Sequence, residues 1–382
     1  MRITYLSTSR LPTRKAYGVT VIETAEAAVR MGENFLVYSP TSNRKELKEF
    51  QRSLAGLKLP KFLDERDLNN VKRFVFYFNS FFIPLSASLK SNFRNADIFW
   101  LRDPIAALVI CLALRNKQTL LELHHLPSES GLMLLRILLR FRNFSICAIT
   151  EELASKIRIS TNATEIFICP MAVSPQFFHD KKDNFSDSTI RFIYSGKGQS
   201  SGFDNGLETL VMDIERVWIK FPNIQVTFLG LEDDYVKLLK DLIKERDLPM
   251  EIFVFLSHVS HNEVPELLKT HDIGLLPYPE NKYHAERFPI KSLEYAASGL
   301  AILATKTRAH VQVIGADYAW FYKPSDAESM SRQVESILNH SESRENRLKQ
   351  AQKWAHGYTY EGRITIVQNF FLAFFENRSK FL

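Results

Sequence analysis

Apolar residues in this chain fall into two alternating patterns: short β-rich runs, and longer stretches in which apolar positions recur at helical spacing. "RITYLS" is the first short run. A loop with Pro12 and Gly18 follows, then "VTVIETAEAAVRMG" with helical spacing, stopped by Gly32. "NFLVYS", Asn34 to Ser39, is the next strand. Strand, helix, strand in this order predicts a βαβ unit and a parallel sheet. The alternation continues through "ADIFWLR", "PIAALVICLALRN", "QTLLELHH", "GLMLLRILLRFRN", "FSICAIT", "EELASKIRI" and "TEIFICP". "RFVFYFNSFFIP", Arg73 to Pro84, holds six aromatic residues between Phe74 and Ile83. Its β-propensity predicts a buried strand, with the wall of an acceptor site as the alternative.

The rhythm breaks at "MAVSPQFFHDKKDNFSDS", a polar, turn-rich stretch that reads as a hinge. A second βαβ series starts at "TIRFIYSG" and runs through "NGLETLVMDIERVWIKF", "IQVTFLG", "DYVKLLKDLIKERD", "EIFVFLS", "NEVPELLKTH", "DIGLLPY", "IKSLEYAASG" and "AILAT". The tail from Tyr358 predicts a long aromatic helix. The expected division is a first domain over 1–172, a hinge over 173–188, a second domain over 189–356, and a helix over 357–382 that packs back on the first domain. The fold class is α/β, with two doubly wound, Rossmann-like domains facing a cleft. In such sheets ligands bind beyond the carboxyl ends of the strands.

A length of 382 residues agrees with two domains. The longest apolar run, Ile105 to Leu114, is about half of the roughly 20 residues a membrane span needs. Neither a membrane span nor a leader peptide is expected. Cys111, Cys147 and Cys169 have no metal-ligand spacing and sit in apolar runs, so they are expected to be buried small hydrophobes in a reducing cytosol. Charge is uneven: residues 1–172 carry 24 Lys and Arg against 15 Asp and Glu, the remainder 25 against 28. A basic first half suits an anionic partner or is simply a basic surface.

The candidate chemistry lies just after strands. In "HAERFPIKSLEYAASG", Pro289 should open a helix that Gly299 ends. Glu286 then falls in the preceding loop and Glu294 in the helix, about one turn past Lys291. A helix N-terminus with a lysine suits a phosphate, and a carboxylate can accept two hydrogen bonds from a ribose diol. The same spacing also makes an ordinary Glu–Lys face of a surface helix. His124 and His125 end the strand "QTLLELHH", where period-2 alternation lets one of them face a cleft. Adjacent histidines with no third ligand make a poor metal site. Arg102 and Asp103 end "ADIFWLR" and form either an acceptor site for acidic groups or a structural ion pair. Arg136 and Arg140 lie among leucines on one helix, which suits an anionic membrane surface or a core helix with exposed arginines.

Two glutamates in "HAERFPIKSLEYAASG", followed by an apolar strand, resemble the C-terminal signature of family 4 glycosyltransferases with the GT-B fold. "YGVTVIETAEAAVRMG", "LELHH", "ICAITEELASKI", "IFICPMAVSPQFF", "IRFIYSGKG" and "LLKTHDIGLLPY" resemble that family's other motifs, in order along nearly the whole chain. The resemblance implies a retaining transferase using a nucleotide sugar. It implies Glu286 and His124 beside the donor sugar and Glu294 on the ribose hydroxyls. It further implies the Phe288-Pro289-Ile290 turn against sugar and diphosphate, Gly18 where backbone approaches a phosphate or the acceptor, and Gly196 with Lys197 at the diphosphate. The family usually carries an arginine where Lys197 stands, and a second basic residue in a Lys-Gly pair soon after. "GQSSGFDNG" lacks that lysine, and Lys291 is the substitute charge. His125 and Arg102 are acceptor-side candidates. No metal or other cofactor is expected beyond the nucleotide-sugar co-substrate.

The expected partners are a nucleotide sugar and a glycan or lipid-linked acceptor, with peripheral contact between the basic first domain and an anionic membrane, and no nucleic acid. The expected location is the cytoplasm, or the inner face of the cytoplasmic membrane. A nucleotide-sugar epimerase or hydrolase on the same fold, or a non-catalytic glycan-binding relative, are the rival readings.

Overall fold

The computed structural model describes residues 1–8, 11, 16–41, 54–58, 72–179, 185, 189–200 and 202–379. Pro12 and much of the expected hinge (180–184 and 186–188) lie outside them. The chain divides into two compact units. One is Met1–Pro170 with Tyr360–Leu382; the other is Met171–Thr359.

The first unit begins β1 (Arg2–Leu6), α1 (Ala16–Arg30), β2 (Asn34–Thr41) and β3 (Leu54–Lys58). It continues with α2 (Lys72–Ser88), α3 (Ser91–Arg94), β4 (Ile98–Leu101), α4 (Pro104–Ala113) and β5 (Gln118–Leu123). Then come α5 (Glu129–Leu138), β6 (Phe144–Ala148), α6 (Glu151–Thr161) and β7 (Ile166–Ile168). Its parallel sheet has the order β3-β2-β1-β4-β5-β6-β7, so the chain reverses direction between β1 and β4. Strand register puts Tyr5, Trp100, Leu120, Glu122 and Cys147 on one face.

The second unit holds β8 (Ile190–Ser195), β9 (Gln199–Ser200), β10 (Phe203–Asp204), α7 (Leu207–Lys220) and β11 (Ile224–Leu229). It continues with α8 (Asp233–Glu245), β12 (Phe253–Leu256), α9 (Val264–Lys269), β13 (Ile273–Leu276), α10 (Ile290–Ala297) and β14 (Ala301–Thr305). It closes with α11 (Arg308–Ile314), β15 (Ala319–Tyr322), α12 (Ala327–Asn339) and α13 (Ser341–His356). The main sheet runs β12-β11-β8-β13-β14-β15 and reverses between β8 and β13. Its core gathers Phe192, Val226, Leu275 and Leu303 from one face of the sheet, with Ile214 and Leu239 from the helices that cover it. The final helix, α14 (Tyr360–Ser379), belongs to the first unit and packs on α1.

Most strands and helices fall where the apolar pattern puts them, and all three cysteines are buried. Two expectations are corrected. Gly18 lies in the first turn of α1 rather than in a loop. Residues 73–84 are part of a helix, not a buried strand. Over 77–88, α2 buries Asn79, Ser80, Ile83, Pro84, Ala87 and Ser88, at helical spacing, while its aromatic residues dominated the β-propensity reading. Ser80 Oγ donates to Asp103 Oδ2, and the Asp103 Oδ1 atom caps α4 by accepting from Ile105 and Ala106.

Candidate active site

In the second unit the candidate residues lie beyond β8 and β13, the adjacent strands between which the sheet order reverses. β13 ends at Leu276, and a loop with a 3-10 turn (His284–Glu286) leads to Pro289 and α10. Pro289 cannot donate a hydrogen bond and opens the helix. Its carbonyl accepts from both the Ser292 N–H (2.8 Å) and the Ser292 hydroxyl (2.7 Å), and the Ile290 N–H turns onto the Phe288 carbonyl (2.9 Å). The far end stops in a Schellman arrangement: Leu300 N–H donates to Tyr295 O (2.9 Å) and Gly299 N–H to Ala296 O (3.1 Å). The small residues Ala296, Ala297 and Ser298 let α10 sit tightly against β13, β14 and α13. Tyr295 is buried, and its hydroxyl accepts the Ser195 N–H at 3.0 Å. That bond fixes α10 to the end of β8.

The loop after β8 needs glycine for steric reasons. A Cβ on Gly198 would lie 2.2 Å from the Tyr235 ring. One on Gly206 would lie 2.1 Å from the Pro277 carbonyl oxygen, at φ +84°. The loop returns through β9 and β10 to the β13 loop. There Phe203 stacks on Tyr283 (5.0 Å), the Arg287 guanidinium lies 3.9 Å from the Tyr283 ring centre, and His284 Nε2 bonds Asp204 O (3.0 Å).

Within this frame Glu286 is half-buried, Phe288 and Pro289 are buried, and Ile290 is half-buried. Glu294 is 4% exposed, and its Oε2 accepts from Lys291 Nζ at 2.7 Å. Gly196 follows β8 directly, and the exposed Lys197 donates through Nζ to Glu232 Oε1 at 2.7 Å. Both candidate phosphate cations therefore rest on carboxylates. Sequence reasoning missed Glu232 and also His261, which the loop after β12 brings in. Burial lowers the His261 pKa, and its ring feels the charges of both Glu294 and Lys291. Histidines in a loop after a strand were the available signal.

In the first unit His124 stands just past β5 with its ring turned back, Nε2 lying 2.5 Å from Glu122 Oε1. His125, one step on, is exposed. Both lie past the strand's end, so strand alternation does not set their directions. Glu122 is the organising residue. Its Oε1 also accepts from Arg102 (3.0 Å) and Arg363 of α14 (2.8 Å), and its Oε2 from Trp100 Nε1 (2.7 Å). Arg102 therefore pairs with Glu122, not with Asp103. Burial alone would push the Glu122 carboxyl up, but the two guanidiniums and His124 hold it well below the usual carboxylate range. Burial and Arg102 hold the His124 pKa down to about 4. His124 is therefore neutral near pH 7, with its proton on Nε2 facing the carboxylate and Nδ1 left as an acceptor. Glu122 and His124 lie two residues apart at the end of β5, and that proximity was a legible signal. Arg363, distant in sequence, gave none.

Residues 178–354 match the family described as Glycosyl transferases group 1. Among curated proteins, no sequence match is found. Solved structures resemble nearly the whole chain. Sucrose-phosphate synthase from Thermosynechococcus elongatus matches at TM-score 0.74 and 14% identity, covering 98% of this chain and 99% of that one. A glycosyltransferase from Rickettsia africae matches at TM-score 0.74 and 15% identity, with the same coverage. Anabaena HepE in complex with UDP-glucose matches at TM-score 0.72 and 13% identity, covering 98% and 100%. At these identities the likeness establishes the fold, and that fold is GT-B. The family match over the second unit supports glycosyl transfer as the class of reaction.

Proposed function

We propose that the chain is a retaining glycosyltransferase that moves a sugar from a nucleotide-diphosphate sugar to a glycan or lipid-linked acceptor of the cell surface. The observation that carries this is the placement of Glu286, the Phe288-Pro289-Ile290 turn, Lys291 and Glu294 beyond β13, beside Gly196 and Lys197 beyond the neighbouring β8. The UDP-glucose complex of structurally similar Anabaena HepE is compatible with such a donor.

In this reading the bond from the anomeric carbon to the diphosphate oxygen breaks, and the acceptor oxygen forms its bond on the same face. The acceptor proton passes to the leaving phosphate. Negative charge that grows on the diphosphate is met by Lys197, Lys291 and the amino end of α10. A ribose diol on Glu294 competes with Lys291 for the carboxylate, so donor binding moves the Lys291 ammonium toward the phosphates. Glu286 orients the sugar. In the first unit, neutral His124 offers Nδ1 to a substrate hydroxyl. No metal is required, because cationic side chains do that work. The basic first unit meets an anionic membrane on the cytoplasmic side.

Thermal shift with UDP-, GDP- and ADP-sugars identifies the donor, since a ligand of the native state raises its stability. Product analysis with and without acceptor separates transfer from hydrolysis or epimerisation, and the anomeric configuration of the product tests retention. Activity should survive excess chelator. Sugar-nucleotide affinity that Glu294→Ala leaves unchanged would overturn the ribose assignment.

A further inference from the structure

Helix α2 is built inside out. Toward the protein it turns Asn79, Ser80, Ile83, Ala87 and Ser88, all buried. Outward it turns Tyr77 (58% exposed), Phe81 (46%), Phe82 (45%), Leu85 (38%) and, one residue past its end, Leu89 (78%). Positions 77, 81, 85 and 89 recur every fourth residue, so they form one stripe along the helix. Phe82 widens it, with Phe78 stacked on its ring at 4.0 Å. A helix that serves only its own core places its large apolar residues inward.

The surroundings indicate what covers the stripe. Lys90 and Arg94, both exposed, lie at its C-terminal end. α2 packs against α4, and α4 against α5. α4 exposes Leu112 (49%), and α5 exposes Met133 (63%) and Ile137 (40%) beside Arg136, with exposed Arg140 and Arg142 just past its end. Aromatic and aliphatic side chains edged by arginine and lysine, on the half of the chain with excess positive charge, match the two-layer chemistry of an anionic bilayer surface. The rings enter the headgroup–acyl boundary and the cations meet lipid phosphates. No described helix is long and apolar enough to cross a membrane, so the contact is peripheral.

We propose that the outward face of α2, with the exposed parts of α4 and α5 beside it, is a docking surface for an anionic lipid bilayer. This deepens the membrane contact proposed above and rests on that contact, not on the transfer chemistry. Vesicle binding and sugar transfer are measured separately, so either reading can fail without the other.

The test is co-sedimentation of the full chain with vesicles of phosphatidylcholine alone and of phosphatidylcholine with 30 mol% phosphatidylglycerol. The wild type should pellet with the anionic vesicles, release as salt is raised, and bind the neutral ones more weakly. Phe81→Ser with Leu85→Ser should lower the anionic-vesicle partition coefficient at least about tenfold, since two apolar side chains lose their burial. Lys90→Gln with Arg94→Gln should lower it only with the anionic vesicles. Both substituted pairs lie on the surface, and circular dichroism checks that each folds. Equal partition of wild type and F81S/L85S overturns the proposal, as does a wild type that ignores anionic vesicles. A soluble dimer that F81S/L85S dissociates, with no vesicle binding, assigns the stripe to a second copy of the chain instead.

Discussion

Glu122→Gln keeps the size and shape of the side chain and removes only its charge, so it isolates what the buried carboxylate does. Four donors meet the two oxygens: Trp100 Nε1 on one, Arg102, Arg363 and His124 on the other. An amide has one acceptor and one donor end. In either orientation its NH2 faces an N–H group, and two guanidiniums lose their counter-charge. Arg363 is 1% exposed and Arg102 only 20%, so water compensates little. Removing one partner of a buried ion cluster costs about 3–5 kcal/mol. That is a large part of the roughly 5–15 kcal/mol that holds a typical domain folded. The assay is hydrogen exchange read by mass spectrometry at increasing denaturant, which resolves the units separately. Peptides of β4, β5 and β6 should lose that stability, while those of β8, β11 and β13 serve as the unchanged control. Replacing the cluster with Glu122→Leu, Arg102→Met and Arg363→Met together should recover much of the loss, because no unpaired charge remains. A loss below about 1 kcal/mol in E122Q would refute the reasoning.

Acid should weaken both units through histidines held neutral. His124 and His310 each titrate at about 4 in the fold, against an ordinary 6.5, mainly because of burial. Their lowered values mean this stability is complete above pH 6.5 and is lost as pH falls toward 4, on the order of 3 kcal/mol apiece. Denaturant midpoints across that range check it, and a flat profile would contradict it. Gly198→Ala forces a methyl group into the Tyr235 ring and should cost the second unit about 1–3 kcal/mol. Adding Tyr235→Leu should return part of that loss in a double-mutant cycle. Lys291→Ala should weaken binding of a nucleoside diphosphate at least about tenfold while sparing the nucleoside, since the lost contact is a charge on phosphate. Calorimetry with both ligands separates the two, and an equal loss for both would argue against a phosphate role.

The opening pattern of short apolar runs and helical stretches was enough for two parallel α/β sheets, because strand and helix periods are local properties of the backbone. "FPIKSLEYAASG" likewise carried its own helix start, buried face and glycine stop, so α10 and the positions of Lys291 and Glu294 were legible. Tertiary structure alone decided which groups meet across the sequence. Arg363 reaches Glu122 from 241 residues away, and nothing near either residue encodes that partnership. Glu232 under Lys197 depends on the neighbouring ends of β11 and β8, and His261 beside Glu294 on a loop from β12, which β11 and β8 separate from β13. The aromatic run at 73–84 shows the limit most plainly. β-Propensity rewards large rings on a half-buried surface, but the face that α2 turns inward is made by Asn79, Ser80, Ile83, Ala87 and Ser88 at helical spacing. Tyr77, Phe81 and Phe82 were therefore left facing outward.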